Sequence, residues 1–387
     1  MKNNGKKNIL ICPLNWGAGH ATRVQVIAWE LRKRGYKIYI AAPRSLHKTF
    51  DKAAYDELIT LRSPSVYYPV FTPLYIAVMF QMPVLLVAFL ADRLRLPGII
   101  RKYGIDLVIS DNRFGMWSRR AYSIYITHQL RVALPLGLGF VEKLVSAIHR
   151  SIAGSYDECW VPDLPGENNL SGMLSHDCRM PSNTKYIGPL SRFYKLDVPI
   201  KNRPFSSSSE EEYPEYSGGG GVHDFGFLPS QFTLAILSGP EPQRTIFENI
   251  ITSQKDKLPG KLIIVAGTPG DNKQTAADDI LRYSWLNGAA LKQLMEQADL
   301  IICRSGYSTI MDLFYIGKTA LLVPTPGQPE QEYLACYLAE RYNFTTITQR
   351  QLAGYGDIPA VNNDIKWPGI DKDLLDKALD QLLRKLP

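Results

Sequence analysis

Short apolar runs alternate with amphipathic stretches along this chain, and the alternation happens twice. Residues 9–14 form an apolar run suited to a buried parallel strand. Residues 21–34 follow with Val24, Ile27, Ala28 and Leu31 at helical spacing, and Gly35 stands where a left-handed residue closes a helix. Residues 36–42 read as the next strand, and 106–110, 123–127, 158–161 and 186–187 as later ones. After a break, strands are predicted at 232–237, 261–266, 300–303 and 320–324. Helices are predicted between them, from about Arg244, over 289–298, from Ser308 and from about Gln331. Strand–helix alternation of this kind predicts an α/β protein with two Rossmann-like domains, each a parallel sheet.

At 387 residues the chain is longer than a single core usually supports, which also points to two domains. The break at 204–226 holds four consecutive serines (Ser206 to Ser209) and a run of glycines, and cannot bury much apolar surface. The expected division is a first domain at 1–200, a low-complexity insert or linker at 201–229, a second domain at 230–365 and a tail at 366–387. Leu374, Leu375, Ala378, Leu379, Leu382 and Leu383 share one helical face in that tail, so it is expected to pack back on the first domain.

Residues 74–91 are interrupted only by Gln81 and Pro83. They read either as a buried helix pair broken at Pro83 or as a surface lying on a membrane, with Arg93 and Arg95 just after it. A span through the bilayer would cut an otherwise continuous α/β domain.

The formal net charge of +7 suits an anionic partner. Nucleic acid is not expected, because the basic residues are dispersed and no helix-turn-helix, zinc-finger or RNA-binding pattern is present. Cys12, Cys159, Cys178, Cys303 and Cys336 are odd in number and lack metal spacing, which fits a reducing compartment. The apolar run at 9–14 is too short for a signal peptide, so a cytoplasmic location is expected.

The chemistry concentrates where predicted strand 300–303 ends. Ser305, Gly306, Ser308 and Thr309 form a small-residue turn opening a helix, which leaves backbone N–H groups free for phosphate. Asp312, one turn further in, is placed for ribose hydroxyls. The chain is therefore expected to hold the diphosphate and ribose of an activated nucleotide.

The segment Cys303-Arg304-Ser305-Gly306, with Thr309 and an acid at Asp312, resembles the GT-B glycosyltransferases and, more narrowly, glycosyltransferase family 28. That resemblance is carried by about 298–339 and by 9–34. It implies two facing Rossmann-like domains around a cleft, a nucleotide-diphosphate sugar donor on the second half, and a glycan or lipid-linked acceptor on the first. It implies Gln331 and Glu332 on the donor sugar, with Glu332 in place of the family's second Gln, and Asp312 in place of its usual Glu. Arg192, Gly239 and Arg244 would serve the diphosphate, although Pro240 and Pro242 depart from the family's turn. Asn15, Gly17 and Gly19 match its acceptor loop, His128 matches a second acceptor loop, and His20 matches the loop's closing histidine.

Either His20 or Asp111, at another strand end, is expected to take the acceptor's proton. Helix-start amides and arginine would carry the leaving diphosphate, so neither cofactor nor metal is expected. The apolar stretch at 74–91 would allow peripheral contact with the inner membrane face. A nucleotide-sugar 2-epimerase or hydrolase, and a non-catalytic nucleotide- or glycan-binding protein, are the alternatives. Trp285 to Asn287 lie where a nucleobase would be read, with Trp285 expected in the core.

Overall fold

The computed structural model describes residues 7–64, 74–135, 137–176, 179–194, 196, 228–269, 273–277, 279–354, 356–362, 364–365, 367–369, 371 and 373–386. Most of the expected insert, and His223, lie outside these residues.

The first half builds a seven-stranded sheet. Its strands are β1 (Asn8–Pro13), β2 (Lys37–Ala42), β3 (Glu57–Thr60), β4 (Leu107–Asp111), β5 (Tyr122–Ile126), β6 (Glu158–Val161) and β7 (Thr184–Tyr186). The order is β3-β2-β1-β4-β5-β6-β7, and every pairing is parallel. Helices α1 (Ala18–Lys33), α2 (Leu74–Tyr103) and α3 (Gly139–Gly154) connect its strands. The second half contributes β8 (Phe232–Ile236), β9 (Lys261–Val265), β10 (Gln274–Ala277), β11 (Ile280–Tyr283), β12 (Leu300–Cys303) and β13 (Leu321–Leu322). Their order is β10-β11-β9-β8-β12-β13, with only the β10–β11 hairpin antiparallel. Its helices are α4 (Gln243–Ser253), α5 (Gly288–Gln297), α6 (Tyr307–Ile316), α7 (Pro329–Tyr342) and α8 (Gln349–Ala353).

Strand order reverses direction between β1 and β4 in one sheet and between β8 and β12 in the other. Open α/β sheets bind ligands outside the strand ends at such points. Both switch points carry the chemistry described below.

The tail forms α9 (Leu374–Leu383), whose Leu375, Ala378, Leu379 and Leu382 are buried. Burial stabilises by roughly 2 kcal/mol for each such leucine. Its polar edge pairs with the first half: Asp376 lies 2.6 Å from Arg34, just after α1, and Lys385 lies 2.7 Å from Glu158 on β6. One continuous apolar cluster includes residues from both sheets and α9.

Two expectations need correction. Residues 74–91 are not a buried pair broken at Pro83, because α2 runs unbroken from Leu74 to Tyr103 with Pro83 and Pro97 inside it. Pro83 is exposed, so its ring meets solvent while the neighbouring turns keep their own hydrogen bonds. Much of α2 is also bare: Phe80, Val87 and Leu94 are largely exposed, as are Phe140, Leu144 and Ile148 on α3. Among the described residues, no helix is long and apolar enough to cross a membrane. Trp285 is half-buried instead of core. His149 is buried, its Nε2 2.8 Å from the Tyr125 hydroxyl.

Candidate active site

At the first switch point, the end of β1 pairs Pro13 with Asp111 on β4, and Leu14 N–H donates to the Asp111 carbonyl at 3.0 Å. The chain then turns through Gly17, whose φ of +94° strains any residue with a side chain, and α1 begins. His20 and Arg23, three residues apart on one helix face, therefore look onto the end of β4.

Asp111 is fully buried. Arg23 forks onto it, Nε donating to Oδ2 at 2.8 Å and Nη2 to Oδ1. His20 Nδ1 lies 3.0 Å from the same Oδ2. Burial alone would raise the Asp111 carboxyl, but Arg23 and His20 outweigh it and hold the group down at about 2. Burial first, and then the neighbouring Arg23, lowers His20 below its usual 6.5, so the imidazole is neutral at pH 7. A permanently ionised carboxylate locked by a guanidinium is a poor base and a good orienter. A neutral, partly exposed imidazole beside it has the opposite properties.

At the second switch point, β12 ends at Cys303 and Arg304 turns inward. Arg304 is 1% exposed, stacks on Phe247 and donates to the carbonyls of Val323, Pro324 and Gln243. These bonds pin the ends of β12, β13 and α4 together. Gly306 then caps α6 without any side-chain hydrogen bond, and Thr309 N–H donates back to the Gly306 carbonyl at 2.9 Å, which leaves the Tyr307 and Ser308 amides as the first-turn donors an anion could take.

Ser305 Oγ donates to the Gln331 carbonyl at 2.7 Å. Gln331 is buried, its Oε1 accepting from Thr325 N–H at 2.9 Å, and Glu332 accepts from Gly327 N–H at 2.8 Å. Both side chains thus brace the loop that leads into α7. Gly239, at φ +91°, has open space around it, while Arg244 is turned onto Glu241 of its own loop. Thr309 is buried in α6. Asn287 caps α5 by accepting from Ala290 N–H at 2.9 Å. Asp312 accepts from Ser191 Oγ at 2.8 Å and lies 2.8 Å from Arg192 Nε, both beyond β7 of the first half.

The two switch points face one another. A Cβ on Gly19 would stand 2.7 Å from Ser308 Oγ and 3.3 Å from Ser308 Cβ, so the start of α6 comes close to α1 at this glycine. His128, after β5, stacks on Tyr307 with ring centroids 4.1 Å apart and planes 3° apart. Its Nε2 lies 2.9 Å from Glu330 Oε1 in the first turn of α7. His20, Asp111, His128, Gly19 and Ser308 are therefore brought together, and Arg192 is brought to Asp312. Arg244 makes its ion pair within its own loop. Arg23, Glu330, Tyr307 and Ser191 were not singled out from sequence; only Arg23 carried a signal, as a charge one turn from His20.

Beside this site lies a cavity of about 710 Å³, between the ends of β2 and β3 and one side of α2. Val84, Val87, Ala88 and Ala91 supply its apolar wall, and Arg44, Arg62 and Arg95 its charge. Ser63 on its rim accepts from Asn15 Nδ2 at 3.3 Å, which joins it to the His20 loop.

Comparison with known families matches residues 235–356 to the glycosyltransferase family 28 C-terminal domain. The matched stretch runs from β8 to just past α8, about a third of the chain. Two curated relatives carry the name UDP-N-acetylglucosamine–N-acetylmuramyl-(pentapeptide) pyrophosphoryl-undecaprenol N-acetylglucosamine transferase. The one from Desulforudis audaxviator is 46% identical over 70 residues, 18% of this chain and 19% of that protein. The one from Pasteurella multocida is 43% identical over 56 residues, 14% of this chain and 16% of that protein. The aligned stretches thus span about a fifth of those relatives or less.

Whole-chain similarity is structural. The glycotransferase of kitacinnamycin superposes with a TM-score of 0.53 at 14% identity, over 98% of this chain and 91% of that one. Spinosyn rhamnosyltransferase SpnG superposes at 0.54 with 13% identity, over 98% and 92%. The chain has the GT-B fold: two parallel-sheet α/β domains.

Proposed function

We propose that the protein transfers a sugar from a nucleoside diphosphate donor, UDP-linked by analogy with the curated relatives, to a hydroxyl of a lipid-linked cell-envelope glycan. The observation that carries this reading is the neutral His20, held by Asp111, next to Gly19 where the start of α6 with its Tyr307 and Ser308 amides comes close. His20 Nε2 takes the acceptor proton as that oxygen bonds the anomeric carbon. The bond from anomeric carbon to diphosphate breaks, its electron pair leaving with the diphosphate onto the α6 amides. Attack opposite the leaving group gives inversion, and the amides with Arg192 supply the positive potential.

On this reading 1–200 is the acceptor domain and 230–365 the donor domain, with 366–387 bracing the former. Asp312 and Arg192 exchange their mutual contact for ribose and diphosphate when donor enters. Gln331 and Glu332 shape the sugar pocket through the loop they hold. The bare apolar sides of α2 and α3 lie on an anionic membrane surface at the cytoplasmic face. The arginine-lined cavity beside the His20 loop would take the anionic part of the acceptor.

The test supplies radiolabelled UDP-sugars with and without polyprenyl-diphosphate glycan acceptors. Label appearing in the lipid phase only when acceptor is present is the expected result. Conversion of donor alone would replace this reading with an epimerase or hydrolase. Tight UDP binding without turnover on any acceptor would make the chain a binding protein.

A further inference from the structure

Arg23 stands at the centre of a hydrogen-bonded chain that crosses from one half of the molecule to the other. Guanidinium groups only donate. Arg23 Nη1 lies 3.3 Å from His128 Nδ1, so that nitrogen is the acceptor and the His128 proton sits on Nε2. From there it points at Glu330 Oε1, 2.9 Å away on α7. On its other side Arg23 forks onto Asp111, and Asp111 Oδ2 still has a lone pair facing His20 Nδ1 at 3.0 Å.

His20 Nδ1 has a second suitor, because Arg23 Nη2 lies 2.8 Å from it. If Nδ1–H donates to Asp111, Nε2 is bare and can accept a proton. If Arg23 donates to Nδ1 instead, the proton moves to Nε2 and the imidazole has nothing to accept with. The placing of one guanidinium therefore decides whether His20 is a base.

We propose that Arg23 and Glu330 are positioning residues: Glu330, by closing on His128, holds the Arg23 guanidinium on His128 and Asp111 and so sets His20 as the base only when the two halves meet. This rests on His20 being the base of the transfer proposed above. The groups facing His20 are all on the page: Arg23 on α1, Asp111 on β4, His128 after β5 and Glu330 on α7. Opening the cleft removes the one of them that belongs to the second half. His128 Nε2–H then loses its carboxylate, Arg23 Nη1 loses a fixed acceptor, and Nη2, already 2.8 Å from His20 Nδ1, turns its N–H from Asp111 Oδ1 to that nitrogen. The base would be disarmed in the open form, which protects a bound donor from water before the acceptor side has closed.

Imidazole ¹⁵N spectra of the full chain read the tautomers directly and need no turnover. Wild-type protein should show His128 protonated at Nε2 and His20 at Nδ1. Glu330→Ala should shift His20 toward the Nε2–H form and lower kcat roughly 10-fold or more, with donor KM little changed. His149, buried outside this chain of contacts, is the internal control for an intact fold. Glu330→Gln keeps an acceptor oxygen for His128 and should restore the wild-type His20 spectrum. Arg23→Lys keeps the charge but not the fork, and should lose it. An unchanged His20 spectrum in folded Glu330→Ala overturns the proposal, as does failure of Glu330→Gln to rescue. If transfer activity is absent while the tautomers respond as expected, the functional reading fails and the coupling stands.

Discussion

Each half of this protein places a buried aspartate against an arginine near a sheet's switch point, and the two pairs differ in what they join. Asp111 and Arg23 both belong to the first half, held by β4 and α1. Asp312 sits on α6 of the second half, while its partner Arg192 follows β7 of the first. A pair inside one domain stays paired whatever the cleft does; on the proposal above the second half acts on it only through Glu330, which decides how the Arg23 guanidinium is set against His20. A pair across two domains must break when they part, leaving a buried charge that needs a new partner. Ribose hydroxyls and a diphosphate offer one. On the proposed function, the same two side-chain types serve the base in one place and an exchangeable recognition group in the other.

The sharpest way to break this comparison is Asp111→Asn. It should lower kcat by roughly 10²- to 10⁴-fold while leaving donor binding nearly intact, measured by steady-state kinetics and UDP calorimetry. In the wild type, His20 is held below 6.5 by burial and then by Arg23, so its neutral form persists as pH falls through that value. The kcat/KM profile should stay level through pH 6.5 and decline only at lower pH; an acid limb centred above 6.5 removes His20 from the role of base.

Asp312→Asn should act on the other side of the comparison. It is expected to raise donor KM by roughly 10- to 100-fold, the loss of a charged hydrogen bond, with a smaller change in kcat. The rise in melting temperature produced by UDP should shrink accordingly. Undiminished UDP binding would make Asp312 a strut between the halves and nothing more.

The smallest effect on the chemistry, and a selective one, is expected from Leu94→Glu on α2. Leu94 is 81% exposed, so stability should change by about 0.5 kcal/mol or less. Flotation with anionic vesicles should nevertheless fall, and turnover of a soluble acceptor analogue should not. Vesicle binding equal to wild type would give that helix face another occupant.

How much of this was legible beforehand depended on range along the chain. The turn at Ser305 to Thr309 could be read because a strand, a Ser-Gly break and a helix follow within a dozen residues, each with its own periodicity. The glycine turn before His20 was legible for the same reason. The partnership of Arg23 with Asp111 spans 88 positions, and that of His128 with Glu330 spans 202. No periodicity links residues so far apart; Arg23 meets Asp111 because α1 starts at the end of β1 beside β4, and His128 meets Glu330 because the two halves pack against each other. Gln331 and Glu332 show the reverse problem. Their position was visible, but whether their side chains would point outward or brace the preceding loop was not. Pro83 likewise reads as a helix break by local rules, and an exposed position on a long helix tolerated it.

The sequence by itself therefore determined the two α/β units and where each opens a phosphate-ready turn, since backbone geometry and local apolar spacing dictate those features. Only the tertiary structure decided which acid orients the base, which acid faces the other half, and that α2 would be left bare. Those outcomes depend on the burial and pairing of charges, and these exist only once distant strand ends have been packed together.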